Sequence, residues 1–321
     1  MNRRGTTGCH WLAALPAALL LVLPATATAE TVVGQAAAAV SAVDDAGKRI
    51  SLPAPARRVV SLAPHATELL FAVGAGNAVV GADEYSDYPE AARQIARIGR
   101  AGALDVERIL ALKPDLVVAW GSGNTGGQVA QLQRFGLPVF ISEPRGPETI
   151  ATSLRRLGAL TGHAAVGDRE AADFAAGFAR LRTTYAHRAP VSVFYQIWNE
   201  PLMTVNATHS IGAVISLCGG RNIFADLPTL APTVNIEAVV HANPDVIIGS
   251  GADDTRPQWL DDWRRWPTLA AVRHGNLFDV PPNLVQRPTS RLLEGAQRVC
   301  AALEIARGRK LPAERQHSTA R

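Results

Sequence analysis

Residues 104–118 read LDVERILALKPDLVV, and residues 234–248 read VNIEAVVHANPDVII. Each stretch has a helix-capping residue, a carboxylate two positions later, an apolar helix face, and then Pro-Asp followed by a buried-strand pattern. The match runs over 15 positions without a gap. Chance similarity between helix–turn–strand units is the alternative, but the length of the match favours two related lobes.

Strands and helices alternate outward from both stretches. Short apolar runs predict strands at 58–62, 79–82, 116–120, 138–142, 193–197, 246–248 and 277–280. This alternation is typical of parallel sheets covered by helices. It stops at 147–188, where two helical patterns follow each other and the second is long. We therefore predict an α/β fold of two lobes, each a central sheet flanked by helices, joined by a single long rigid helix.

The patterns divide the chain into six segments. These are a signal peptide at 1–29, an amino-terminal segment at 30–56, a first α/β lobe at 57–162, a connecting helix at 163–188, a second α/β lobe at 189–308 and a disordered tail at 309–321. The amino-terminal segment carries a turn signal at 44–48 between β-prone stretches, which predicts a hairpin.

The first residues predict export. An arginine pair at 3–4 precedes an apolar run at 11–23, and Ala27 and Ala29 then supply the small residues that signal peptidase needs. The run of about 13 residues is too short for a permanent membrane anchor. Cys9 precedes the run, so it cannot be the lipid-modified cysteine of a lipoprotein. We expect Sec export to the periplasm and a soluble mature chain.

Charge and cysteine content narrow the class of protein. Without the signal peptide, 30 of the 32 basic residues remain against 28 acidic ones, and no basic stripe is visible, which argues against nucleic-acid binding. Cys218 and Cys300 are the cysteines that remain. In an oxidising compartment they favour one disulfide over two buried free thiols. The bridge would close a loop of about 80 residues and stabilise the fold by about 4 kcal/mol.

Motifs of known enzyme classes are missing from the sequence. It contains no Gly-x-Ser-x-Gly elbow, no phosphate-binding loop, no His-Glu-x-x-His and no zinc-type cluster of Cys and His. The glycine-rich stretch at 121–127 follows a predicted strand but is weak evidence for a phosphate site. We predict a protein without catalytic residues, resident metal or cofactor.

Four ordered motifs carry a family resemblance. They are SLAPHATELL at 61–70, YSDYP at 85–89, LKPDLVVAW at 112–120 and CGGRNIF at 218–224. They resemble the vitamin B12-binding proteins of ABC importers, which belong to the helical-backbone metal-receptor class (class III) of periplasmic binding proteins. The resemblance covers about 56–305. It implies a corrinoid held between two lobes, a permease dimer of the inner membrane as partner, a monomeric state and a disulfide between Cys218 and Cys300.

Strand-end position and the resemblance select the candidate ligand-binding residues. They are Tyr85, Trp120, Trp198, Asn283, Arg287 and His65. The resemblance implies that the first two contact the corrin and that Asn283, an aspartate in the family, and Arg287 belong to the pocket. Trp198 has no family match but follows a predicted strand, where open α/β sheets bind ligands. A core role for Trp120 and a helix-capping role for Arg287 are the alternatives.

Departures from the family affect the ligand. His65 opens the first helix, where its imidazole could approach cobalt or iron, although a capping or exposed histidine is the alternative. Two pocket tryptophans of the family align with Ala101 and Ala231, so the pocket could be repacked around Trp198. Such a pocket would take the same ligand or a related one. Haem or a ferric siderophore is the alternative ligand within the same class, and a periplasmic tetrapyrrole-processing enzyme is a less favoured alternative.

Glu107 and Glu237 occupy equivalent positions in the two matched stretches. The resemblance implies that these glutamates, one on each lobe, dock onto arginines of the permease. Stabilisation of a helix amino terminus by its dipole accounts for either residue alone. The repeat, however, places the same acid on both lobes, as a two-fold-related permease would require.

Overall fold

The computed structural model describes residues 38–309. The predicted signal peptide, the start of the amino-terminal segment and residues 310–321 lie outside the described residues. The predicted hairpin is present as antiparallel strands β1 (Val40–Val43) and β2 (Arg49–Leu52). Asp44 closes its turn by accepting hydrogen bonds from the backbone N–H groups of Ala46 and Lys48 at 3.0 and 2.7 Å.

The first lobe is built on a parallel four-stranded sheet. Its strands are β3 (Val59–Ser61), β4 (Val79–Ala82), β7 (Leu116–Trp120) and β8 (Val139–Ser142), in the order β4-β3-β7-β8. Between β4 and β7 lies a short antiparallel pair, β5 (Gly99–Arg100) and β6 (Ala103–Leu104). The helices of this lobe are α1 (Pro64–Ala72), α2 (Val106–Ala111) and α3 (Gly126–Arg134), and two 3₁₀ turns span Gly76–Ala78 and Glu90–Gln94.

Two consecutive helices connect the sheets. These are α4 (Pro147–Leu160) and α5 (Ala164–Tyr185), and the latter has 22 residues, so that it is about 33 Å long. The helix α5 ends three residues before the predicted limit. Gly158 and Gly167 face each other, because a Cβ added to Gly158 would lie 3.0 Å from the Cα of Gly167. The two helices therefore pack closely along one another, which stiffens the connection.

The second lobe repeats the architecture of the first. Its strands are β9 (Val191–Gln196), β10 (Gly220–Asn222), β11 (Val246–Gly249) and β12 (Leu277–Asp279), in the order β10-β9-β11-β12. Its helices are α6 (Ser210–Leu217), α7 (Ile236–Ala242), α8 (Ala270–Arg273), α9 (Pro282–Val285) and α10 (Leu292–Arg309), with a 3₁₀ segment at Gln258–Arg265. In both sheets the strand that comes second along the chain lies at one edge, beside the first.

The matched sequence stretches adopt the same local structure. Asp105 and Asn235 cap α2 and α7 by accepting the backbone N–H three residues later. Lys113 and Asn243 both have left-handed backbone conformations, with φ of 46° and 45°. The predicted α/β fold of two related lobes is confirmed, because caps, turns and sheet order all repeat.

The predicted disulfide is also confirmed. Cys218 at the end of α6 is bonded to Cys300 in α10, and 82 residues separate them along the chain. Both sulfurs lie in the fully buried core of the second lobe. Among residues 38–309, no helix is both long and apolar enough to cross a membrane.

Candidate functional site

The strand-end position of Trp120 places it at the carboxyl edge of the first sheet. It is the last residue of β7 and is half-buried. Its backbone N–H donates to Oδ1 of Asn124 at 2.7 Å, and Nδ2 of Asn124 donates to the carbonyl of Leu62 at 3.3 Å. The indole covers Gly123, where an added Cβ would overlap the ring. The glycine-rich loop thus holds Trp120 against the strand end.

His65 packs against the Trp120 ring in the first lobe. Only 3% of its surface is exposed, and its ring meets the Trp120 indole edge-on with 5.7 Å between centroids. Its Nε2 is 3.2 Å from the Ser142 hydroxyl. Burial lowers the pKa of His65 to about 4, so the ring is neutral at physiological pH. These contacts make His65 a support for Trp120, and contact with a ligand or metal stays a prediction.

A cavity lies between the lobes at Trp120. Trp120, Ser122 and Glu143 line it from the first lobe, and His209, Leu230 and Gln286 line it from the second. Its volume is about 80 Å³. Ligand pockets usually measure about 300–1,000 Å³, so this space is smaller than a typical ligand pocket. We call it the inter-lobe cavity.

Arg287 joins the lobes beside this cavity. Its Nη1 donates to Oε1 of Glu68 at 3.0 Å and to Oδ1 of Asp87 at 2.6 Å. Arg291 also reaches Glu68, with its Nε and Nη2 donating to the two carboxylate oxygens at 3.0 and 2.6 Å. The guanidinium of Arg291 lies 3.9 Å from the centre of the Tyr88 ring. We call Glu68, Asp87, Arg287 and Arg291 the inter-lobe ion cluster.

The two carboxylates of the cluster differ in exposure. The side chain of Glu68 is 3% exposed, whereas that of Asp87 is 46% exposed. Partial burial alone would raise the pKa of Asp87, but the hydrogen bond and charge of Arg287 outweigh it and hold that pKa below its usual value. Asp87 therefore stays ionised at neutral pH, and Glu68 is the buried centre of the cluster.

The other predicted ligand residues are not gathered around the inter-lobe cavity. Tyr85 is 56% exposed and its carbonyl accepts from Nη2 of Arg287 at 3.4 Å, so it flanks the ion cluster. Trp198 is 47% exposed, and its indole N–H donates to the carbonyl of Glu200 at 3.0 Å in the second lobe. Asn283 donates to Asp254 at 3.0 Å. The structure thus places Trp120 against His65 and Tyr85 against Arg287, whereas Trp198 and Asn283 make their hydrogen bonds within the second lobe.

The predicted docking acids have equivalent settings. Glu107 and Glu237 lie in the first turns of α2 and α7, and both are exposed. Within residues 38–309, neither carboxylate forms an ion pair with a basic side chain of the chain.

Ala101 is exposed and Ala231 is half-buried, and neither lines the inter-lobe cavity.

Sequence reasoning missed five residues of this region. Glu68, Asp87, Arg291, His209 and Gln286 were not predicted as functional. The first two lie within motifs quoted for the family resemblance, which was the only signal that could have found them. The ion pairs link residues 200 to 223 positions apart, and no local pattern predicts such contacts.

In the described part of the chain, no group of three or more His, Cys, Asp or Glu residues could hold a metal ion.

Comparison with known proteins defines the class. The family described as "Periplasmic binding protein" matches residues 59–284, and the chain belongs to this family. Among its members, the vitamin B12-binding protein of Vibrio cholerae serotype O1 is 37% identical over 258 residues, which is 80% of this chain and 92% of that protein. The vitamin B12-binding protein of Yersinia pestis is 36% identical over 256 residues, with 78% and 88% covered.

Solved structures agree with the fold. The crystal structure of the periplasmic vitamin B12 binding protein BtuF of Vibrio cholerae matches with a TM-score of 0.73 and 37% identity, covering 78% of this chain and 98% of that one. The periplasmic heme-binding protein RhuT from Roseiflexus sp. RS-1 matches with a TM-score of 0.69 at 23% identity, covering 78% and 99%. The second likeness concerns the fold alone.

Proposed function

We propose that this protein is the periplasmic solute-binding component of an ABC importer, which captures cobalamin or a related corrinoid between its lobes and delivers it to a membrane permease. The observation that carries the proposal is Trp120, whose indole lines the inter-lobe cavity at a strand end, in a chain 37% identical to a vitamin B12-binding protein. A corrin is a broad, largely apolar disc edged with amides. An aromatic face and a few polar groups suit it.

Capture and release require no chemistry on the ligand in this proposal. The proposal includes export of the protein by the predicted signal peptide and action as a monomer. The corrinoid is cargo in this proposal and is not a cofactor. The ion cluster and α5 limit how the lobes separate, so we expect binding to widen the inter-lobe cavity by a rigid-body movement of the lobes. We do not expect either sheet to remodel.

The direct test is calorimetric titration of the mature protein with cyanocobalamin, cobinamide and haem. Trp120→Ala should weaken corrinoid binding by about 5- to 150-fold, because base or ring stacking on one aromatic face is worth about 1–3 kcal/mol. Phe135→Ala is the matched control, since Phe135 is 55% exposed at the end of α3 and does not line the cavity. Tight haem binding without corrinoid binding would replace corrinoid by haem as the ligand.

Haem is the second candidate ligand because Tyr85 is 56% exposed, its backbone carbonyl accepts from Arg287 at 3.4 Å, and a tyrosine can ligate haem iron. A haem-binding protein of this kind would show a Soret band that shifts in Tyr85→Phe. Corrinoid binding would leave Tyr85→Phe with only a modest loss of affinity, because the ring face is retained.

Docking to the permease is proposed through Glu107 and Glu237. The double variant Glu107→Ala/Glu237→Ala should abolish transport into cells or proteoliposomes while corrinoid affinity stays within about twofold. A matched control is Glu90→Ala/Glu148→Ala, which removes two exposed acids elsewhere. A large loss of ligand affinity in the first variant would instead assign these acids to the ligand site.

A further inference from the structure

The second lobe carries an aromatic pocket outside the inter-lobe cavity. Trp259, Trp263 and Trp266 line it, and its volume is about 240 Å³. All three tryptophans belong to the 3₁₀ segment Gln258–Arg265 or follow it directly. Among the described residues, none lines both this pocket and the inter-lobe cavity. We call it the tryptophan pocket, and the proposed ligand contacts leave it without a role.

Internal contacts fix the walls of the tryptophan pocket. Trp263 is buried, and its indole N–H donates to Oε1 of Gln196 at 2.7 Å. Gln196 in turn donates from Nε2 to Oδ1 of Asn199 at 3.1 Å. The rings of Trp263 and Trp266 lie 5.4 Å apart between centroids, and Trp259 and Trp266 are both half-buried. The pocket therefore presents indole surface that is ordered before a partner binds, which lowers the entropic cost of binding.

One acidic side chain on the pocket wall has no partner. Glu200 lines the pocket and is exposed, and among the described residues its carboxylate forms no hydrogen bond or ion pair. The other two charged wall residues, Asp262 and Arg265, form an ion pair with each other at 3.4 Å, so their charges offset. The remaining wall residues are neutral, which leaves the pocket with one net negative charge.

Charge, shape and size together select the occupant of the pocket. The faces of indole rings attract cations, and the Glu200 carboxylate supplies the opposite charge, which would repel an anion. The guanidinium of an arginine is planar and stacks on indole, and its apolar stem suits the wall that Leu202 and Ile236 provide. A volume of about 240 Å³ is below the usual size of small-molecule pockets, about 300–1,000 Å³. The pocket is therefore better suited to a single side chain than to a free ligand.

The tryptophan pocket adjoins the acid proposed for docking in the second lobe. Ile236 lines the pocket and is 39% exposed, and Glu237 is the next residue along α7. The backbone N–H of Val234 donates to the carbonyl of Leu202, another wall residue, at 2.9 Å. The segment that leads into α7 is thus fastened to the pocket wall, so the pocket and Glu237 belong to one continuous surface.

The first lobe differs at the corresponding places. Val106, the counterpart of Ile236, packs against the apolar core of its lobe. Between the last two strands of the first sheet lies α3 (Gly126–Arg134), which contains no aromatic residue, whereas the tryptophan segment follows the corresponding strand of the second sheet. The two lobes therefore present unlike surfaces beside their equivalent docking acids.

We infer that the tryptophan pocket receives an arginine side chain of the permease, beside the contact proposed for Glu237. This inference rests on the proposed function, because it takes the permease as the partner. The pocket adds aromatic and ionic contacts on the second lobe, so the two lobes dock with unequal strength. Tryptophan and arginine are enriched among the residues that dominate the binding energy of protein interfaces.

The indole N–H signals of the isotope-labelled mature protein test the pocket directly by nuclear magnetic resonance. Titration with N-acetylarginine amide should shift the signals of Trp259 and Trp266 in a saturable way and leave that of Trp120 in place. N-acetylcitrulline amide has nearly the same shape without the charge, so it should bind more weakly. Glu200→Gln should weaken arginine binding about two- to fivefold, as the loss of an exposed ion pair predicts. Asp173→Asn, at an exposed position on α5, is the matched control.

The aromatic wall is tested by two substitutions of one residue. Trp259→Leu should weaken arginine binding about 2- to 30-fold, as the loss of one cation–π contact predicts, and Trp259→Phe should retain part of the affinity. The absence of a saturable shift with the arginine amide, or an equal shift with the citrulline amide, would overturn the pocket.

Uptake of cyanocobalamin into cells tests the docking role. Glu200→Gln and Trp259→Leu should lower uptake while the affinity for cyanocobalamin stays within about twofold, and Glu237→Ala should lower uptake more than Glu107→Ala. If Trp259→Leu does not fold, Glu200→Gln still decides, because its side chain is exposed and unpaired among the described residues. Normal uptake by the pocket variants would overturn the docking role even where the arginine amide binds. Failure of wild type to bind any corrinoid would overturn the proposed function, whereas the arginine titration reads the pocket independently.

Discussion

The inter-lobe ion cluster gives the sharpest prediction about stability. Glu68 accepts three charge-assisted hydrogen bonds, one from Arg287 and two from Arg291, at 2.6 to 3.0 Å. In Glu68→Gln one oxygen becomes an amide nitrogen, which points a donor at a guanidinium donor. One bond is lost when the amide nitrogen replaces Oε2, and two are lost when it replaces Oε1; the remaining bonds lose the negative charge of their acceptor, and each bond is worth about 1.5–3 kcal/mol when charged.

The expected loss in the free energy of unfolding is therefore about 3–5 kcal/mol, which agrees with the usual cost of removing one partner from a buried ion pair. For a chain of this size that corresponds to a fall of roughly 10 °C in Tm. Asp87→Asn is the control. Its side chain is 46% exposed and accepts one bond from Arg287, so solvent screening limits its expected loss to about 1 kcal/mol or less.

The assay is urea unfolding followed by circular dichroism, with the disulfide intact. Arg291→Met should also destabilise, and the double variant with Glu68→Gln should lose less than the sum of the single losses because the two side chains share the same bonds. If Glu68→Gln fails to fold, Arg291→Lys tests the same pair more gently by replacing a bidentate contact with a single one. Equal losses for Glu68→Gln and Asp87→Asn, or additive losses in the double variant, would refute a buried ionic centre between the lobes.

Three further outcomes are expected. Gly123→Ala should weaken corrinoid binding by displacing the overlying indole, whereas Gly127→Ala, which has open space around its Cα, should leave binding unchanged and stabilise the fold by about 0.5–1 kcal/mol. Replacing both Cys218 and Cys300 by serine should lower the free energy of unfolding by about 2–5 kcal/mol, and an unchanged urea midpoint would contradict this. Folding lowers the pKa of His65 from 6.5 to about 4. The neutral ring therefore contributes about 3 kcal/mol to the free energy of unfolding, a contribution that is complete above pH 6.5 and is lost as the pH falls towards 4. In His65→Gln, the free energy of unfolding measured in urea should depend less on pH over this range.

Local patterns in the sequence determined the architecture. Caps such as Asp105 and Asn235, the Pro-Asp turns and the apolar strands each depend on a few neighbouring residues, so their repetition can be read from the amino-acid order alone. The same holds for Trp120, because the position after a strand fixes which edge of the sheet a residue occupies. The length of the connecting helix was likewise predicted to within three residues at its end.

Only the tertiary structure decided which residues meet between the lobes. Glu68 and Arg291 are 223 positions apart, and their pairing depends on how α1 lies relative to the start of α10. His209 and Gln286 converge for the same reason, and Trp198 satisfies its indole N–H within its own loop although its strand-end position resembles that of Trp120. A sequence pattern specifies the element that carries a side chain, whereas contacts between elements depend on packing summed over the whole chain. Hence the sequence determined the lobes, and the structure decided how they are joined and what lines the space between them.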